Sequence, residues 1–365
     1  MTDNNNKKTG DQCGCEPKLS TQGVLPYFAT ELFEMPNALA RSGVFSVSQR
    51  LKHFDKWTPV PAWGKTKVEV SGPQLGEKHQ EVWGQLMTYK RGQPITRPLF
   101  MHMNQLIEDL EWYDAPPGGA QYRKINAIVD ELNRAGLRIS DPKLLNNLVT
   151  LYDAFRSEAK AADPKLAAML EARYSSHIGA IREALLDGDD YELTIQFISN
   201  VGTNKRKRRA VIELDPLAVL LFDGVNTTLI NKEARKKMST ALARAVLLFI
   251  ESHTGEIPAM RGSTWHGILA SGMKNMRVFK LRLGEALSEC EEKGYIKAGW
   301  DFYDTNDAED TWGTVGIYPT KKLRNEYRAA MEKASKQPVI DHAPESLGTN
   351  YTEEQLEQAT VDYLE

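Results

Sequence analysis

Five consecutive cations, Lys205, Arg206, Lys207, Arg208 and Arg209, follow Gly202-Thr203-Asn204 and lie between two runs that alternate like strands. Cations at that density on a hairpin tip neutralise phosphates and release counterions, which makes duplex binding steeply salt-dependent. A localisation signal or a merely solvated run would carry the same charges, although a flexible tail suits those readings better than a hairpin. A second group, Lys274, Asn275, Arg277, Lys280 and Arg282, sits on a helical stretch with no acid up to Leu283. Asn275 and Arg277 fall at its N-terminal end, where a groove-docked helix meets base edges. Arginine pairs bidentately with guanine and asparagine with adenine, and the other cations would hold phosphates and fix register. The competing reading is a solvated amphipathic face. A third and weaker group, Gln121, Tyr122, Arg123 and Lys124, opens another helix, with Asp130 and Glu131 close behind. It fits a positioning role or the wet side of a core helix.

Signals for bond-making chemistry are poor. Trp63-Gly64-Lys65-Thr66 suggests a phosphate-binding loop, but that motif requires glycine where Pro59 stands. Cys13 and Cys15 are one residue apart with no partner pair, and Cys290 falls on an apolar helix face. His53, His79, His102, His177, His253, His266 and His342 are scattered, with neither a His-Glu-x-x-His nor a His-hydrophobic-His motif. The expectation is a protein that is not an enzyme and uses no metal or cofactor. Gln22, Leu25, Tyr27 and Phe28 loosely match sliding-clamp-binding peptides, with Gly23 where leucine is usual. An arm anchoring on its own domain is the alternative.

These groups need a scaffold. A chain of 365 residues suggests about two domains. Apolar residues at 41% and charged residues at 26% are ordinary for a soluble protein. Apolar runs such as Ala245–Ile250 have core-helix length, so no transmembrane span is expected. Met1–Asp11 lacks the apolar region of a secretory signal, and three cysteines give no disulfide framework, so a cytoplasmic location is expected. The net charge of −3 conceals a split. Gln337–Glu365 carries seven acids and no Lys or Arg, and removing those seven takes the rest from −3 to +4. Such asymmetry hints at a nucleic-acid or membrane partner.

Met1 to about Gly23 is polar and expected to be disordered, and the proline-punctuated stretch after it shows little periodicity beyond a short strand at Lys67–Val70. Helices are expected at Glu77–Tyr89, Asn104–Leu110 and Tyr122–Ala135, with a strand-like run at Leu99–Met101 and a turn at Pro116–Gly119. Asp141–Asp187 reads as helical. Tyr191–Ser199 and Val211–Leu214 read as antiparallel partners around the basic tip. Further on, Ser239–Ser252, Ser263–Ala270 (capped by Ser263) and Asn275–Lys293 are expected helices. The last of these places Val278, Leu281, Gly284, Leu287 and Cys290 on its apolar face. Tyr295–Tyr303 and Gly313–Tyr318 can form a hairpin around an acidic loop holding Asp301, Asp304, Asp307, Glu309 and Asp310.

Both halves thus share one plan of helix, short helix, turn, longer helix and strand pair. That is a winged helix, whose second helix can enter the major groove. The expected fold is α+β and helix-rich, with tandem winged-helix domains, β-hairpin wings and a helical insertion in the first unit. The expected boundaries are a flexible arm at 1–34, a first winged helix at 35–228 with its insertion at about 141–187, a second at 229–335, and an acidic tail at 336–365.

Particular blocks resemble the TrfA-type plasmid replication initiators. They are Met35-Pro36-Asn37-Ala38-Leu39-Ala40-Arg41-Ser42-Gly43-Val44-Phe45; Glu81-Val82-Trp83-Gly84-Gln85-Leu86; Gly92-Gln93-Pro94-Ile95; Leu106–Trp112; and Thr264-Trp265 through Arg277 to Glu292–Ile296. The similarity runs with gaps from about Pro36 to Trp300, and the first block is its most specific piece. The resemblance implies an initiator that binds origin iterons in double-stranded DNA as a monomer and dimerises when inactive. It also implies opening of an adjacent AT-rich element and recruitment of the host helicase, host initiator protein and sliding clamp. The helical segment 141–187, the acidic second hairpin loop and the degenerate clamp peptide depart from that pattern. Three rivals stand beside it: a winged-helix transcriptional repressor, a nicking initiator enzyme (disfavoured by the missing histidine pair), and an interaction scaffold built on the central helices.

Overall fold

The computed structural model describes residues 32–47 and 52–322, apart from 92, 94–96, 114–115, 163, 222–226, 254, 271 and 308–309, together with 325, 358, 360 and 361. The clamp-like residues Gln22, Leu25, Tyr27 and Phe28 lie outside the described residues, as does nearly all of the acidic tail.

The described chain opens with β1 (Leu32–Pro36), the one-turn α1 (Asn37–Ala40) and β2 (Phe45–Ser46). An antiparallel hairpin of β3 (His53–Val60) and β4 (Lys67–Pro73) follows, then β5 (Leu75–Gly76), parallel to β2. The first winged helix comes next: α2 (Glu77–Lys90), β6 (Leu99–His102), α3 (Met103–Asp109) and α4 (Gly119–Arg134). Val82, Trp83 and Leu86 of α2 are wholly buried at its centre. Before the wing, the chain inserts β7 (Gly136–Ser140), α5 (Pro142–Ala162), α6 (Pro164–Asp187) and β8 (Leu193–Gln196). The wing is β9 (Ile198–Asn204) and β10 (Arg209–Leu214). It forms an antiparallel sheet in the order β6-β10-β9, while the insertion's strands extend the early hairpin into the sheet β3-β4-β7-β8.

α7 (Pro216–Leu221), β11 (Thr227–Asn231) and α8 (Lys232–Lys236) lead to the second winged helix. It comprises α9 (Ala241–Glu251), β12 (Met260–Arg261), α10 (Gly262–Ala270), α11 (Met276–Glu292), β13 (Asp301–Asp304) and β14 (Trp312–Val315). Its sheet order, β12-β14-β13, repeats the topology of the first unit. α9 is apolar on nearly every side, as a helix at the centre of a core must be. Its N-cap Thr240 accepts the Ala243 N–H. Each unit has its own core, one built on Trp83, Leu106, Ile125 and Ile212, the other on Phe249, Trp265, Phe279 and Leu287.

The tandem winged-helix plan therefore stands, and several details are corrected. The run expected as one strand at Tyr191–Ser199 divides at Phe197, so that β8 pairs with β7 and only β9 faces β10. Segment 141–187 is helical as expected, in the two helices Pro142–Ala162 and Pro164–Asp187. Residues 53–60, which show no useful periodicity, form β3. Ser263 does not cap α10. Asp310 of the acidic loop does so, accepting the Ser263 N–H at 3.1 Å and its hydroxyl at 2.5 Å. The buried face of α11 is Phe279, Leu283, Ala286, Leu287 and Cys290, whereas Val278 and Leu281 face solvent.

Candidate nucleic-acid interface

In the first unit the basic run is a four-residue turn, Lys205 to Arg208, closed by the Asn204–Arg209 pair. Arg209 thus belongs to the strand and is half-buried. The Asn204 side-chain oxygen accepts the Lys207 N–H at 2.8 Å, and Arg208 turns the chain with φ of 57°. Arg208 is also pinned. Its guanidinium stacks 4.4 Å from the Tyr122 ring centre, its Nη1 donates to the Tyr122 hydroxyl at 3.1 Å, and its carbonyl accepts the Met103 N–H at 2.9 Å. The tip is thereby fixed against the first turn of α4. Lys205, Arg206 and Lys207 remain exposed.

On α4, Tyr122 is buried, and the Gln121 side-chain oxygen accepts the Gly118 N–H at 2.9 Å, ordering the helix start. Tyr122 thus presents no open edge, and the Gln121 oxygen is engaged at the helix start. Arg123 and Lys124 point outward, with the Lys124 ammonium 5.3 Å from the Trp112 ring centre.

In the second unit Arg277 and Arg282 are exposed on one side of α11, and Lys274 and Asn275 are exposed just ahead of its first turn. Asn275 is the N-cap, with Oδ1 accepting the Val278 N–H at 3.1 Å. A bidentate adenine contact through that amide would compete with the cap. Lys280 is half-buried, its ammonium 5.0 Å from the ring centre of Phe302 and 5.4 Å from that of Trp312, both on the wing. When the buried Ile125, Ile128, Val129 and Leu132 of α4 are set in register with Leu283, Ala286, Leu287 and Cys290 of α11, Tyr122 falls opposite Lys280. Both units thus join helix to wing through a cation on an aromatic ring, with the partners exchanged. The acids of the second wing loop are partly structural: Asp310 caps α10, and Asp307 pairs with Arg261 at 2.7 Å.

No family model matches the chain. The plasmid replication initiator protein TrfA of Escherichia coli is 21% identical over 298 residues, covering 78% of this chain and 63% of the relative. The chain is similar to the TrfA-type plasmid replication initiators. It spans somewhat under two thirds of that relative's length. Among solved structures, RctB domains 2–3 match with a TM-score of 0.40 at 8% identity, covering 78% of this chain and 98% of that one. The Pi initiator protein in complex with iteron DNA matches with a TM-score of 0.40 at 9% identity, covering 80% and 99%.

The block that most resembles the TrfA type, residues 35–45, carries neither wing nor second helix. It forms the seam between the two units. β1 pairs with β11 ahead of the second unit, and Asn37 accepts the Thr228 hydroxyl at 2.5 Å. Arg41 Nε donates to the Ser252 hydroxyl at 3.0 Å, at the end of α9. Gly43 lies so close to α10 that a Cβ would sit 2.7 Å from the Gly267 carbonyl. On the other side of the seam, Arg244 donates to both carboxylate oxygens of Glu77, and Arg235 lies 3.7 Å from the same group. Lys232 donates to Gln85 at 2.5 Å, and Lys236 pairs with Glu111. Arg244, Arg235, Lys232, Gln85, Lys236 and Glu111 line a cleft of about 220 Å³ between the units. Sequence reasoning missed the seam because its partners lie far apart in the chain.

His253 lies behind Arg41, its Nδ1 2.8 Å from the Phe249 carbonyl. Burial first, and the Arg41 cation second, push its pKa down to about 4. The folded value lies below the unfolded value of about 6.5. The neutral ring's contribution is therefore complete above pH 6.5 and is lost as the pH falls through about 4. Denaturant titrations between pH 7 and 4.5 are expected to show falling stability, with His253→Gln flattening the fall. An equal slope in the variant would assign the acid sensitivity elsewhere. Burial also drives the Cys290 thiol up to about 12, so it is a core group and not a nucleophile. Among the described residues no His/Cys/Asp/Glu group could hold a metal, and no helix is long and apolar enough to cross a membrane.

Proposed function

We propose that the chain is a plasmid replication initiator that binds iteron repeats at its origin, promotes opening of an adjacent AT-rich region and recruits host replication proteins. The observation that carries this reading is the pair of winged helices set in one fixed relation, each with exposed cations at the helix start, in a chain similar to TrfA. DNA-contacting roles fall to Arg277 and Arg282 on α11 and Lys274 just before it, Arg123 and Lys124 on α4, and Lys205, Arg206 and Lys207 on the wing. Tyr122, Arg208 and Lys280 tie helix to wing. Gln121 and Asn275 set the helix starts.

The work is physical, with no bond made or broken. Opening a duplex costs about 1.4 kcal/mol of stacking per step, so several bound copies must strain the DNA together. A monomer is the binding form, in equilibrium with a dimer, and the host helicase, host initiator protein and sliding clamp are the partners. The location is the cytoplasm. A plasmid bearing the cognate origin but lacking this gene should be maintained when the chain is supplied in trans. Failure in every host that maintains the parent plasmid would end the reading.

A further inference from the structure

Two large apolar side chains are exposed on α11, where a helix of a folded domain should keep them inside: Val278 at 38% and Leu281 at 65% exposure. They are not strays from the core, which is closed by Phe279, Leu283, Ala286, Leu287 and Cys290 on the opposite side. At spacings of three and four, Arg277, Val278, Leu281 and Arg282 form one outward stripe, and Lys274 is exposed just ahead of the N-cap Asn275. Cations therefore flank the apolar pair, and the first acid beyond is Glu285. Such a stripe suits a surface that is anionic at its edges and carries small apolar groups between them. The major groove of duplex DNA has this character: phosphates line both walls, and the one apolar group on its floor is the 5-methyl of thymine.

We infer that Val278 and Leu281 read thymine methyl groups in the major groove. The contrast with α4 shows that the apolar pair is particular to α11. In the register that aligns the two buried faces, Leu281 corresponds to Arg123 and Val278 to Ala120. The first helix puts a cation where the second puts leucine, and the wing beside it presents Lys205, Arg206 and Lys207. This inference rests on the reading that α11 docks in duplex DNA, but not on the DNA being an origin.

The test uses the full chain and sites selected from random duplex, so that it is independent of any replication result. Each thymine fixed by selection is replaced by deoxyuridine, which removes only the methyl group. The wild type is expected to lose about fourfold in affinity per methyl beneath α11, the factor for withdrawing one methyl from an apolar contact. Val278→Ala with Leu281→Ala should bind the thymine site more weakly and become indifferent to uracil. Both positions are outside the core, so the variant is expected to fold, and its circular dichroism and unfolding midpoint check this. Selected sites with no fixed thymine, a wild type indifferent to uracil, or a variant that keeps full uracil sensitivity would each overturn the inference. So would uracil indifference combined with weaker self-association of the variant, which assigns the stripe to a second copy of the chain. A chain that fails to maintain its plasmid yet shows the expected uracil pattern would refute the initiator reading and leave this one standing.

Discussion

Replacing Lys205, Arg206 and Lys207 together with alanine is expected to lower the slope of log K against log salt by about 2.7, since each phosphate contact on duplex DNA contributes about 0.9. If those contacts contribute nothing at about 1 M salt, the same slope means a loss of about two orders of magnitude in affinity at roughly 0.15 M. The change should be close to uniform across DNA sequences, because phosphates carry no base identity. The three side chains are exposed, and the turn is held by groups the variant keeps: the Asn204 bond to the Lys207 backbone and the Arg208 stack on Tyr122. Folding should therefore be untouched. Fluorescence anisotropy from low to high salt measures the slope. An unchanged slope would remove the wing from the interface.

Glu77→Ala is expected to destabilise the protein by about 3 kcal/mol, the usual result of removing one partner from a desolvated ion pair, because Arg244 loses the carboxylate to which it donates twice. Glu77 is 13% exposed, Arg244 23% and Arg235 5%, so solvent screens this cluster little. The Glu77 hydrogen bond is the first cause holding the Arg244 pKa above its ordinary value, while burial is the first cause lowering that of Arg235. Because Glu77 joins α2 of one unit to α9 and α8 of the other, its loss should also separate their unfolding into two transitions. Binding to a full site should weaken through lost preorganisation while the salt slope stays that of the wild type. That distinguishes the seam variant from the wing variant, which changes the slope and spares the fold. Urea denaturation followed by tryptophan fluorescence reports both quantities. A loss under about 1 kcal/mol with one sharp transition would show the cluster to be no stronger than a surface pair.

The plan of the fold was legible because its punctuation is strong. Pro116–Gly119 starts α4, Gly294 follows α11, and the apolar runs of α2 and α9 mark the two centres. Where the reading failed, the local signal was ambiguous for a physical reason. β3 carries no buried residue, so it has no alternation to detect. Residues 193–204 carry one alternating apolar pattern, and only the bend at Phe197 and the tertiary pairing show that the run changes sheets there. α11 bears two apolar stripes, one through Val278 and Leu281 and one through Phe279, Leu283 and Leu287. Helical period alone cannot choose between them. The cations at Lys274, Arg277 and Arg282 mark the solvent side. The basic groups of the site were visible as charge, but their attachments were not. Arg208 on Tyr122 and Lys280 on Phe302 are contacts between segments remote in sequence. The seam is further still from local reasoning, since Glu77 and Arg244 are 167 residues apart.

The central claim is that the chain binds repeated sites and opens the duplex beside them. A footprint of the purified protein on its own replicon, combined with a reagent that modifies unpaired thymine, tests it in one experiment. The account predicts protection of several direct repeats of about two helical turns each, with reactive thymines appearing in an adjacent AT-rich block only once most repeats are filled. Protection of a single promoter-proximal palindrome, with the neighbouring duplex unreactive at saturation, would contradict it and identify a repressor.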